Sequence, residues 1–200
     1  TNPYQLTEAD RTVIGNTTPK FSGGFGLNAT YKGFDMSMFF NFMYDFDVLN
    51  ANKIMLTTWA DNKENNFLMD IASDKRWRNF DDMGNEIRYS PEVLAEFNKN
   101  ATMWNPTSIG RPICMSYAVE DGSFLRLNSA TLGYTLPSVW TKKVGLSKVR
   151  FYVSGNNLFT LTGYSGYDPE VNIATGLTPN IDYNRYPRSR TYTFGAQLTF

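Results

Sequence analysis

The chain has 200 residues, of which 16% are aromatic, 15 are glycine and only 19% are charged, an unusual balance for the core of a soluble domain. Nineteen cationic and nineteen anionic side chains cancel, so no net field favours nucleic acid or an anionic membrane surface. Histidine is absent and Cys114 is the single cysteine, which excludes an internal disulfide, a Ser-His-Asp nucleophile, a thiol with its imidazole partner and almost every zinc site.

The first residues, Thr1-Asn2-Pro3, do not form a basic stretch followed by an apolar one, so no secretory leader is visible. The chain is expected to be cytosolic, already processed or a piece of something longer. The densest apolar run, Met36 to Tyr44, is interrupted by Ser37 and Asn41 and falls well short of the ~20 residues a spanning helix needs. A mean hydropathy of −0.39 is compatible with a soluble protein and equally with a membrane barrel, half of whose side chains face water.

The strongest signal is alternation with period two, which places successive side chains on opposite faces of a strand. In residues 21–32 one face holds Phe21, Gly23, Phe25, Leu27, Ala29 and Tyr31, and the other Ser22, Gly24, Gly26, Asn28, Thr30 and Lys32. Gly33 occupies the place of a tight turn, and in residues 34–44 Phe34, Met36, Met38, Phe40, Phe42 and Tyr44 again share a face. The pattern predicts a hairpin of two long strands. It then dissolves into a polar excursion, residues 45–115, that holds Trp59, Trp77 and Trp104. Within it, Ser90 to Phe97 reads as a short helix with Ser90 as N-cap and Pro91 in the first position.

Alternation resumes over 124–136, with Ala130, Leu132, Tyr134 and Leu136 in one phase and Leu125 and Leu127 in the other; a bulge near Asn128 would reconcile them. A turn region, Pro137 to Ser147, leads to a strand over 148–156 with Val149, Phe151 and Val153 opposite Arg150, Tyr152 and Ser154. A second irregular segment, 158–190, precedes a last strand over 191–200. There Tyr192, Phe194, Ala196, Leu198 and Phe200 face away from Thr191, Thr193, Gly195, Gln197 and Thr199.

The fold class is therefore all-β. Connections alternate short, long, short, long, as in a transmembrane antiparallel barrel with tight turns on the periplasmic side and long extracellular loops. Five strands of this length can cross the apolar layer but cannot close, because an open edge in lipid leaves backbone groups unpaired. The sequence thus reads as part of a larger barrel whose missing strands precede residue 1. A soluble carbohydrate-binding or adhesive β-sandwich domain is the alternative reading, and an outer-membrane enzyme a third.

Several segments resemble the C-terminal region of the SusC/RagA family of TonB-dependent outer-membrane transporters. They are Ile14 to Phe21, Tyr31 to Asp35, Val119 to Leu127, Thr131 to Pro137, Val149 to Phe159, Tyr164 to Val171 and Tyr186 to Gly195. Their order and spacing match over nearly the whole chain except about Asp45 to Met115. The resemblance implies a 22-stranded barrel in the cell outer membrane with an N-terminal plug. It implies energy supplied through TonB, a SusD-like surface lipoprotein partner, and import of oligosaccharides or, alternatively, peptides. Plug and TonB-contact residues are absent from this segment. No cofactor, no metal and no enzymatic role is expected.

The final alternation, Tyr192, Phe194, Ala196, Leu198 and Phe200, resembles the signal read by the barrel assembly machinery, which needs an edge strand offering a lipid-facing row. In a sandwich the same pattern would be an ordinary buried strand. Trp59, Trp77 and Trp104, with Asp61, Asp74 and Asp81 nearby, could stack on sugar rings, or pack the loop's own small core or a partner protein. Asp168, Glu170, Asn172 and Asp182 are oxygen donors in a loop without the EF-hand pattern, and turn formation and solvation fit them better. Glu120 and Asp121 are adjacent, so they point apart on an extended chain and do not make an acid/base pair. The glycines of Gly23 to Gly26 lack the context of a phosphate loop and are read as leaving room for a plug or relieving strand curvature. Arg126 and Arg150 fall on polar faces and are expected to be solvated in the barrel interior, where plug acids could meet them.

Overall fold

The structure is a computed structural model that describes residues 9, 11–58, 66–71, 74–106, 113–171 and 179–200. The chain forms two compact units, one of Thr1–Leu49 with Val119–Phe200 and one of Asn50–Ala118.

The first unit carries the strands: β1 Phe21–Tyr31, β2 Phe34–Tyr44, β3 Asp47–Asn50, β4 Val119–Asp121, β5 Phe124–Thr135, β6 Lys148–Thr162, β7 Ile181–Asp182 and β8 Thr191–Thr199. Five of them form one antiparallel sheet in the order β1-β2-β5-β6-β8. The β1–β2 turn has two residues, Lys32 at φ +46° and Gly33 at φ +88°, the left-handed pair whose twist matches that of the flanking strands. A side chain at Gly33 would also stand 2.9 Å from the Thr135 carbonyl.

Register carries one face across all five strands, because directly paired residues share a face. Phe25 pairs with Phe40 and Leu27 with Met38; Met36 pairs with Leu132, Leu132 with Val153 and Val153 with Phe194. The phase change in β5 is a bulge: Leu127 and Ser129 find consecutive partners on β2, Phe40 and Phe39, leaving Asn128 out of the ladder. The extra residue returns Leu125 and Leu127 to the face of Ala130, Leu132 and Tyr134. β6 has its own irregularity at the same level, with Asn157 at φ +53°, a conformation Asn tolerates better than most residues. β6 therefore continues to Thr162 instead of ending at Asn156, and the segment expected to be a loop from 158 begins inside a strand.

A smaller sheet, β4-β3-β7, stands at the end of the first unit where the long connections leave. Phe46, Val48, Phe124, Tyr164 and Val171 make a buried cluster there, with Met43 packed against it. Each such side chain contributes about 1.5–3 kcal/mol on leaving water, and Tyr164 and Val171 tie the start of the segment after β6 to this cluster.

The second unit contains α1 (Ala51–Met55), a 3₁₀ turn at Met69–Ile71 and α2 (Pro91–Asn98). Pro91 opens α2 where a missing N–H costs nothing, but the Ser90 hydroxyl makes no capping bond, contrary to the expected cap. The helix is held at its other end. The buried Asn98 amide donates to the carbonyls of Leu94 and Arg78, both at 2.9 Å, while its Oδ1 accepts from the Arg78 N–H at 2.6 Å. Back in the first unit, α3 (Ser138–Thr141) and a 3₁₀ turn, Lys142–Val144, connect β5 to β6. Among the described residues no helix is long and apolar enough to cross a membrane.

Candidate functional site

Two faces and one polar cluster define what the first unit can do. The apolar face is uncovered: Leu132 at its middle is 48% exposed and Phe194 80% exposed, and Phe25, Leu27, Phe151 and Tyr192 are exposed as well. A row of this kind spread over five strands needs an apolar cover that the sheet itself does not supply. Tyr192, Phe194, Ala196 and Leu198 join it through their β6 partners Gly155, Val153, Phe151 and Val149, and β8 is the last strand of the sheet. Phe200 follows, exposed.

The opposite face is polar and structured. Arg150 on β6 reaches across β5 to Asp35 on β2, its Nε donating to Oδ1 at 2.8 Å and its Nη2 to Oδ2. The path runs over Gly133, where a Cβ would lie 2.6 Å from Asp35 Oδ1. Arg150 is thus paired within the sheet rather than simply solvated. Gly24 likewise lies under the Phe39 ring, whose Cζ would be 2.8 Å from a Cβ there, so cross-strand packing accounts for this glycine within the sheet.

At the long-connection end, Arg126 is only 3% exposed, which corrects the expectation of a solvated interior position, and its Nη2 donates to Asp168 Oδ1 at 2.5 Å. Glu170 lies 3.6 Å from Arg126 Nε and pairs with Arg188 at 2.7 Å. Burial alone would raise the Asp168 carboxyl. The Arg126 hydrogen bond, the Glu170 N–H and the charges of Arg126 and Arg188 outweigh it and hold the group below the usual carboxylate range. Beside it the Tyr164 hydroxyl donates to Asp182 Oδ2 at 2.7 Å, and burial, reinforced by Asp182, pushes the phenol far above its ordinary value. Asp168 and Asp182 are therefore buried and individually partnered, which corrects the expectation that they are solvated, while Asp168 accepts from the Glu170 N–H two residues on, as expected of a turn former; Asn172 lies outside the described residues. No group of three or more potential ligands that could hold a metal occurs among the described residues.

Glu120 and Asp121 also take separate partners. Glu120 accepts from the Ser165 N–H and hydroxyl at 2.9 and 2.8 Å, and Asp121 from the N–H and hydroxyl of Ser123.

Of the three tryptophans of the polar excursion, Trp59 lies outside the described residues, as does Asp61. Within the second unit Trp104 donates its indole N–H to the Thr57 carbonyl at 3.1 Å and packs edge-on against Tyr117 with centroids 5.2 Å apart. Lys53 stands 4.7 Å over the same Tyr117 ring, and the Tyr117 hydroxyl donates to Asp70. Trp104 thus belongs to the unit's internal packing. Trp77 is 40% exposed, and Asp74 is exposed. Asp81 is occupied by a turn: it accepts from the N–H groups of Met83 and Asn85 and from the Asn85 amide, and the Asn85 side chain foremost holds its carboxyl low.

No protein-family model matches the chain. Over 202 residues it is 35% identical to TonB-dependent receptor P3 of Formosa agariphila, an alignment covering 98% of this chain and 18% of that receptor. TonB-dependent receptor P39 of the same organism is 27% identical over 193 residues, 96% of this chain and 17% of the relative. TonB-dependent receptor SusC of Bacteroides thetaiotaomicron is 38% identical over 88 residues, 42% of this chain and 8% of SusC. Among solved structures, the RagAB peptide importer in its closed-closed state superposes with a TM-score of 0.75 at 25% identity, over 98% of this chain and 19% of that one. The open-open state gives 0.71 at 26% identity, over 98% and 19%. The chain spans less than a fifth of the length of the curated relatives it matches.

Proposed function

We propose that this chain, which is homologous to a segment of the TonB-dependent receptors of the SusC and RagA type, is the C-terminal wall of a transmembrane β-barrel that imports nutrients across the outer membrane. The carrying observation is the apolar face that runs through the register of five strands and is exposed at Phe25, Leu27, Leu132, Phe151 and Phe194. Hydrocarbon is the cover that suits it, because the inner strands pair their backbone groups with neighbours on both sides and only the outward side chains would meet lipid. The polar face, with Asp35, Arg150 and the threonines of β8, then looks into the lumen, and the segments 45–115 and 158–190 lie outside the cell. The full barrel has 22 strands, carries its plug and TonB contact in other parts of the receptor, and works with a SusD-like lipoprotein. Trp77 is the aromatic candidate for touching substrate or that lipoprotein. The substrate class is oligosaccharide, with peptide as the competitor. A sandwich domain is disfavoured, since it would bury the face that is exposed here.

Nitroxide scanning of positions 191–199 in the full-length receptor, embedded in bilayers, tests the reading. Oxygen accessibility should alternate with period two, high at 192, 194, 196 and 198. A flat profile, or maxima at the odd positions, would overturn it. Uptake of labelled oligosaccharides and of labelled peptides by cells with and without the receptor then decides the substrate class.

A further inference from the structure

The charges that cancel over the whole chain are segregated at the short-turn end of the large sheet. Lys32 lies in the β1–β2 turn, Lys142 and Lys143 in the 3₁₀ turn after α3, and Lys148 and Arg150 at the start of β6. Hydrogen bonds from Thr135 N–H to the Gly33 carbonyl and from Ser147 N–H to the Thr199 carbonyl, both 2.8 Å, bring these connections to one end. Residues 31–35, 134–151 and 196–200 contain a single acidic side chain, Asp35, and Arg150 holds both of its oxygens. Lys148 shares with Arg150 the polar face of β6 that pairs with Thr199 and Gln197, so the cations left for the lipid side are three, Lys32, Lys142 and Lys143, all exposed.

The same end exposes apolar side chains that no strand pattern requires. Val139, Trp140 and Val144 stand in the β5–β6 connection, with Trp140 60% exposed, and Tyr31 and Phe200 are nearby in the register. Amines beside an indole and short aliphatic groups, placed where an apolar sheet face stops, match the chemistry of a phospholipid headgroup layer. The ammonium groups meet phosphate, the indole sits at headgroup depth and the valines reach the first methylenes.

We propose that this end is a docking surface for anionic phospholipid in the membrane leaflet that meets the short turns. The proposal rests on the barrel reading above and goes beyond it by assigning a headgroup class. The charge excess argues for a phosphate-bearing lipid without a compensating amine, such as phosphatidylglycerol, over a zwitterionic one.

The test uses the full-length receptor in bilayers of phosphatidylethanolamine, with spin-labelled phosphatidylglycerol or phosphatidylcholine as probe. The wild-type receptor should retain phosphatidylglycerol in its motionally restricted shell in preference to phosphatidylcholine. K32Q/K142Q/K143Q should lower that preference about tenfold, and raised salt should act on the wild type in the same direction. Should the threefold variant fail to assemble, K142Q/K143Q, whose residues lie outside the strands, should still lose part of it. The pair K75Q/K99Q in the second unit should leave the preference unchanged. An unaltered preference in the Lys142 and Lys143 variant, or an equal loss in the control, would overturn the proposal. A nitroxide at F194C in a C114S background separates the two failures. Lipid contact at 194 without headgroup preference sinks only this inference, whereas no lipid contact at 194 sinks the barrel reading.

Discussion

Arg126 and Asp168 meet across 42 positions of sequence, and their pairing decides how the segment after β6 is held. Removing one partner of a buried ion pair leaves the other charge unsolvated, at a cost of about 3–5 kcal/mol. Asp168→Ala in the full-length receptor should therefore raise hydrogen exchange across Tyr164–Val171, while strands β5 and β6 keep their protection. Asp168 also makes the segment acid-sensitive in a defined direction. Its carboxyl is held below the ordinary value in the folded state, so its contribution is present above the unfolded value of ~3.9 and is lost as pH falls from there through the lower folded value. Pepsin, which cuts in acid, should leave the segment intact at about pH 5 and cleave it increasingly below about pH 4; cleavage already complete at the higher pH would count against the pair. Alternation places Arg126 on the polar face of its strand. It does not supply the partner, because nothing local links Arg126 to a carboxylate in an irregular segment, and the same limit applies to Tyr164 with Asp182 and to Asn98 with Arg78.

Strands are more legible than contacts because one bit of information, the phase of alternation, fixes both existence and face. In β5 even the defect is readable, since Leu125 and Leu127 fall out of phase with Ala130, Leu132 and Tyr134, and Asn128 is the residue that leaves the ladder. Deleting Asn128 should bring Leu127 next to Ser129 in the existing register and leave a regular alternation, with Leu125 and Leu127 still on the apolar face and Phe124 and Arg126 on the polar one. The full-length receptor carrying this deletion should keep the compact, heat-modifiable band of an assembled barrel on unheated gels, and loss of that band would contradict the reading of Asn128 as the extra residue. The end of β6 is harder to read for a related reason. Asn156-Asn157 has turn composition, yet Asn157 takes its left-handed conformation inside a strand that runs on through Phe159 and Leu161 to Thr162. In the second unit no periodicity guides the reading, and helix α2 is visible only through Pro91 and its flanks.

At the scale of the whole chain, the sheet has two outer strands, β1 and β8, and an exposed apolar face, so among the described residues it has neither lateral partners nor a cover. The small buried cluster around Phe46 and Val48 lies at one end and cannot offset this along the full strand length. Each uncovered edge offers unpaired N–H and C=O groups to any similar edge, and each uncovered aromatic row favours association in water. The 200-residue chain expressed alone should therefore aggregate without detergent. In micelles it should gain strand structure by circular dichroism without the sharp, heat-modifiable transition of a closed barrel. Supplied with the rest of the receptor as a separate polypeptide during refolding, it should be recovered in an assembled complex, because the partner strands satisfy β1 and β8 at once. A monomeric, soluble and cooperatively melting product of the isolated chain would show that protein, not lipid, covers the face defined by Phe25, Leu132 and Phe194.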